Sequence, residues 1–235
     1  MKITSFIISA LTAFSPVFAA EVDNTILFKA EFEKNSANAV IAKGNPAAAV
    51  SKPAEFVKEG VSGDAVRLKP GIRLTFEQKN NVNLNAGTAI FWVRPVDWNP
   101  AKPTGGCNWF FGICGIGAEG GRIQVFKHTT PTLMAFVGNK GAMKSLTQGM
   151  GYWKQNQWYM IAVTWNEGRT VLYVNGKLVA RSNITKAEMP KNTGEVFSLQ
   201  STFGTTDFDN VVIYNRVLSM DEMKKLYEKT APVKK

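Results

Sequence analysis

The chain has 235 residues, 45% of them hydrophobic, and a formal charge of +10. That length supports one sizeable core and is short for two ordinary domains. A single histidine rules out a histidine-rich metal site, and no zinc-finger spacing, P-loop, dinucleotide fingerprint, basic helix or arginine stripe is present. Nucleic acid is therefore not an expected partner.

Residues 1–19 read as a secretory signal peptide. Lys2 precedes an apolar run from Phe6 to Phe14, Ser15-Pro16 breaks it, and Val17-Phe18-Ala19 offers a cleavage site after Ala19. The run is too short to span a bilayer as a helix, and no cysteine sits at the cleavage point to carry a lipid. No later segment is long and apolar enough to cross a membrane. The expected location is secreted or periplasmic, in a bacterial setting, with cell-surface association open.

After the signal, Ile26, Phe28, Ala30 and Phe32 repeat with the period of a strand. Residues 35–53, rich in Ala, Asn, Ser and Pro, predict a long loop. Strands are expected at 64–68, around Ile72, Leu74 and Phe76, and at 88–94, where Phe91 and Val93 would face one way and Ile90 and Trp92 the other. Further strands are expected at 109–113, 122–126 and 133–137. Residues 158–165, 170–174 and 177–180 predict a three-stranded meander whose second turn is Asn175-Gly176. A last long strand over 208–214 leads to Ser219 and Glu222, spaced as a capping box for a helix over 220–229. The expectation is one all-β domain over 20–230, sandwich or barrel, with a frayed tail at 231–235.

Two segments then carry a family resemblance: Trp158 to Trp165 running on through Tyr173-Val-Asn-Gly-Lys-Leu-Val179, and Asp209-Asn-Val-Val-Ile-Tyr-Asn-Arg-Val-Leu-Ser219 with Leu226-Tyr227 after it. With Gly87 to Pro95, Gly63 to Leu68 and the opening Ile26 to Glu33, they resemble the laminin-G-like, concanavalin A-like jelly-roll domains of bacterial exported proteins. The resemblance covers nearly all of the chain after the signal. It implies a sandwich of two antiparallel sheets with a short C-terminal helix. It also implies a calcium site built from Glu31 or Glu33 and Asp209, with Asp207 as neighbour. Asp209-Asn210 stands where the family usually has two adjacent acids, so one carboxylate of that site is missing.

Cys107 and Cys114 lie in a glycine-rich stretch, seven positions apart. An even cysteine count in an oxidising compartment suggests a disulfide, with two free thiols as the alternative. Catalysis lacks its usual parts. Retaining and inverting glycosidases need two carboxylates across the scissile bond, and no strand carries a Glu-x-Asp-x-Glu pattern. A serine mechanism would depend on the lone His128. The expected function is polysaccharide or glycoconjugate binding, with anionic ligands favoured by the charge. A protein partner or self-assembly is the competing reading. Trp92, Trp158 and Trp165 lie in strong strands and at least two of them are expected in the core, whereas Trp98, Trp109 and Tyr152-Trp153 lie in or beside loops and are the candidate ligand-facing aromatics.

Overall fold

The alternating pattern of the sequence becomes two stacked antiparallel sheets in a computed structural model, which describes residues 23–114, 120–191 and 193–232. The expected signal peptide and the last three residues of the expected tail lie outside that range. In chain order the strands are β1 (Ile26–Ala30), β2 (Ile41–Ala42), β3 (Ala49–Val50), β4 (Glu55–Val57), β5 (Ala65–Leu68), β6 (Arg73–Glu77), β7 (Ala86–Pro95) and β8 (Asn108–Cys114). They continue with β9 (Arg122–Lys127), β10 (Thr132–Gly138), β11 (Lys144–Gly149), β12 (Tyr159–Asn166), β13 (Arg169–Val174), β14 (Lys177–Ser182), β15 (Val196–Gln200) and β16 (Thr206–Tyr214). One helix, α1 (Met220–Thr230), follows.

The first sheet runs β14-β13-β12-β7-β16-β1-β2, with β5 also on β16 and β4 on β5. The second runs β11-β10-β9-β8-β15-β6-β3. Alternate residues of both sheets meet in one core: Phe28, Phe91, Val93, Ile161, Phe208 and Ile213 from the first, and Phe76, Phe111, Ile113, Val125, Leu133 and Phe197 from the second. Phe28 packs edge-on against Phe76 and Phe197, 4.8 and 4.9 Å between centroids, and ties the two sheets together.

Strand β7 is apolar on both faces because both faces are covered. Phe91 and Val93 enter the core, whereas Ile90 and Trp92 meet Met223, Leu218 and Tyr227 of the terminal segment in a second apolar cluster. Helix α1 begins as the sequence predicts: the Ser219 hydroxyl accepts from the Glu222 N–H, and the Glu222 carboxylate accepts from the Ser219 N–H at 2.8 Å. Tyr227 then stacks on Trp92 at 5.8 Å. The Asn175-Gly176 turn joins β13 to β14, with both residues at positive φ.

The stretch expected to be a loop over 35–53 contains two short strands, β2 and β3, which extend one edge of each sheet. Strands β4, β11 and β15 are additions to the predicted set.

Candidate functional site

The seven-stranded sheet has an outward face that neither α1 nor the other sheet covers. Its inward residues are set by the core, so the alternates point away: Arg73 and Thr75 on β6, Ser198 on β15, Gly112 on β8, Arg122, Gln124 and Phe126 on β9, and Met134 and Phe136 on β10. A bulge in β8 between Trp109 and Phe111 sends Phe110 and Phe111 both into the core and leaves Trp109 opposite the outward Phe126. Trp109 lies nearly parallel to Phe126, 4.9 Å between centroids, and Phe126 meets Phe136 at 5.2 Å. Three neighbouring strands thus carry a continuous aromatic ladder.

Polar groups lie beside it. Strand register aligns Thr75, Ser198, Gly112, Gln124 and Phe136 in one row across the sheet. The Arg73 guanidinium donates to the Ser198 hydroxyl at 3.1 Å. Gln124 is only 6% exposed, and its side-chain oxygen has no donor, while the Arg122 Nε has no acceptor. An unpaired buried polar atom costs roughly 1–3 kcal/mol. Cys114, beside Arg122 and Arg73, has its thiol pushed up to about 11 by burial, against the pull of the two arginines. It is a poor nucleophile at neutral pH.

Of the four candidate aromatics the structure brings Trp109 to this face and leaves Tyr152 at the surface, 54% exposed. Trp98 and Trp153 correct the expectation: both are buried. Their loops fold back over the sandwich, where the large apolar area of each indole is better placed than in water. Trp98 donates its indole N–H to the Thr205 carbonyl at 3.0 Å, and Trp153 stacks on Tyr159 at 3.8 Å.

The cysteine expectation resolves toward free thiols. Cys107 precedes β8 and Cys114 ends it. Seven residues of extended chain put them roughly 20 Å apart, far beyond the ~7 Å between Cα atoms that a bridge tolerates.

The acidic residues also separate. Glu31 pairs with Lys29. Asp207 is buried between two guanidiniums, accepting from Arg67 Nε at 2.7 Å and Arg94 Nε at 2.8 Å. Asp209 is buried under the loop of residues 60–63. Its oxygens accept the N–H groups of Val61 at 2.7 Å, Ser62 at 3.2 Å and Asn210 at 2.7 Å. Burial pushes the Asp209 carboxyl up to about 7, those backbone donors oppose it, and Glu33 adds like-charge repulsion. Glu33 itself accepts the Asp64 N–H at 3.1 Å. Calcium takes six to eight oxygens with free lone pairs. Glu31, Asp207 and Asp209 have theirs directed at lysine, arginine and backbone donors, and among the described residues no three His, Cys, Asp or Glu side chains gather as a metal site.

Neither the Gln124 row nor the bulge that turns Trp109 outward was read from the sequence. The alternation of β9, Arg-Ile-Gln-Val-Phe-Lys, was its one local signal.

Solved structures share this architecture. The binding domain of botulinum neurotoxin serotype D superposes with a TM-score of 0.69 at 14% identity, over 87% of this chain and 52% of that one. The botulinum neurotoxin DC binding domain in complex with SialylT gives 0.70 at 15% identity, over 88% and 52%. The same domain in complex with rat synaptotagmin II gives 0.69 at 13%, over 88% and 52%. The chain spans about half the length of those domains, and at such identity the likeness is one of fold. No curated protein matches in sequence. A family model does match, over residues 70–224, which run from the turn before β6 into α1. The chain belongs to the concanavalin A-like lectin/glucanases superfamily.

Proposed function

We propose that the protein is a non-catalytic polysaccharide-binding domain whose ligand lies along the outer face of the seven-stranded sheet. The observation that carries this reading is Trp109, half-buried and held flat against Phe126, on the face that also carries the exposed Arg73 and the half-buried Arg122. A pyranose offers a C–H face to stack on an indole and hydroxyls to accept from a guanidinium. Arg122 and Arg73 extend the reading to acidic sugars such as uronates, since a guanidinium pairs well with a carboxylate. Among the outward strand positions of this sheet the only carboxylate is Glu77, which accepts from the Asn45 amide at 2.8 Å. Glycoside hydrolysis calls for two. The botulinum structures with SialylT and with synaptotagmin II are consistent with a binding role for the fold. The signal-like first nineteen residues support a role outside the cytoplasm.

Glycan-array binding and polysaccharide pull-down, with neutral and uronate-containing polymers, test the reading. Wild type is expected to retain at least one acidic polymer. Trp109→Ala, checked for an intact thermal transition, weakens it about tenfold, the loss of one good stacking contact. Retention of no glycan, or unchanged binding by Trp109→Ala, would overturn it. Capture of a protein partner by the same face would then favour an assembly role.

A further inference from the structure

A second site lies on the opposite sheet, along the flank of α1. The helix is fixed by its capping box, by Met223 in the second apolar cluster and by the Tyr227–Trp92 stack. It does not fill the sheet beneath it. A cleft of about 210 Å³ remains between its C-terminal turns and four strands. The floor is Ile26, Ile90, Trp92, Met160 and Val212, and Leu226 forms the wall. The charged residues of the lining are Lys29 and Lys229, with no acid among them. A neighbouring cavity of about 240 Å³ shares Tyr214, Leu226 and Lys229 and adds Lys225 at its edge.

This is an apolar slot with a cationic mouth. Glu31 pairs with Lys29, and the Arg216–Glu222 ion pair across the neighbouring cavity is closed at 2.7 Å. Lys225 and Lys229 stand outside the ion pairs of the described residues. Of the two acids lining the neighbouring cavity, Glu222 is held by Arg216 and Asp23 accepts from Thr25, so positive charge is in excess at the mouth. Each cavity alone is smaller than the ~300–1,000 Å³ of common small-molecule sites, so the slot suits one narrow chain.

We infer that this cleft binds a free single-chain anionic amphiphile, a medium-chain fatty acid, with its alkyl tail on Ile90, Trp92 and Val212 and its carboxylate at Lys229. The apolar floor is recessed: Ile90, Trp92 and Met160 are buried. Such side chains cannot enter a bilayer, so the ligand comes to them as a monomer. The site is independent of the polysaccharide face, which lies on the other sheet.

Calorimetric titration of the full chain with decanoate, below its micelle concentration, tests the inference. Saturable binding is expected, with each methylene between octanoate and decanoate tightening it about fourfold. Val212→Phe, which fills the slot from a half-buried position, abolishes binding. Lys229→Glu, on the exposed last turn of α1, weakens it about fivefold or more at low salt. Decyl maltoside, with the same tail and no charge, binds weakly. The inference is overturned if decanoate does not bind, if both variants bind it as wild type does, or if decyl maltoside binds equally. Binding to phosphatidylglycerol vesicles without binding to decanoate would overturn it in favour of a membrane surface. None of these outcomes bears on glycan retention by Trp109.

Discussion

Asp207 and Asp209 stand two positions apart on β16, and both are buried. Their neighbours make them opposites. Asp207 lies between Arg67 and Arg94, whose guanidiniums compensate its charge, and Arg94 also covers the Trp158 ring at 5.0 Å. Removing one partner of such a buried pair costs several kcal/mol, because the remaining charge has lost its solvent. Asp209 meets backbone N–H groups and no cation in hydrogen-bond contact, and burial raises its carboxyl to about 7. In the unfolded chain an aspartate gives up its proton near 4. Between those values the folded state holds a proton that the unfolded state has released, so stability is greatest at the acidic end and falls as pH rises from about 4 to about 7. Asp209→Asn should flatten that slope in thermal melts; a slope equal to wild type would assign it to another group. The sequence marked both acids as belonging to one site. It could not show that Arg67, distant in the chain, had claimed one of them, because that pairing follows from strand order. Trp98 and Trp153 carry the same lesson: a position in a loop does not fix exposure when the loop folds inward.

Among the elements, the Asn175-Gly176 hairpin was the most legible and turns out to have two roles. Its geometry follows from two adjacent residues that tolerate positive φ. The turn is also the seat for α1: a Cβ added at Gly176 would come 2.8 Å from the Tyr227 Cβ and 3.3 Å from the Lys224 Cα. Gly176→Ala should therefore cost about 3 kcal/mol, combining left-handed strain with overpacking, and lower the denaturation midpoint. A loss no larger than the strain alone would mean that α1 yields at that point. Strands β4, β11 and β15 were missed for a common reason. In β11, Lys-Ser-Leu-Thr-Gln-Gly, one apolar residue, Leu146, reaches the core, and the strand is recognised through its pairing with β10. In β15 Phe197 and Leu199 alternate over too short a run to stand out. Edge and filler strands owe their existence to partners that local periodicity does not reveal.

For the whole molecule, the two-sheet architecture was readable because the long central strands alternate strongly and the capping box and Asn-Gly turn mark their boundaries. The outward face was not, since its character depends on a bulge and on register. The two thiols belong to this scale as well. They sit at opposite ends of one strand, so no covalent link within the chain reinforces the sandwich. The thermal midpoint should be unchanged by reductant, and both thiols should titrate with a thiol reagent after denaturation. A midpoint that falls on reduction would contradict this arrangement. Among the described residues no helix is long and apolar enough to cross a membrane.

Strand β16 sits at the middle of its sheet, bonded to β7, β1 and β5. Ile26 pairs with Tyr214, near the two ends of the described chain. Such distant pairings make for slow folding, because loop closure comes before the contacts that reward it. The earlier strands must wait for the last one with a gap in their sheet and unpaired edges exposed on either side. During that wait the protein is most open to clinging to other chains.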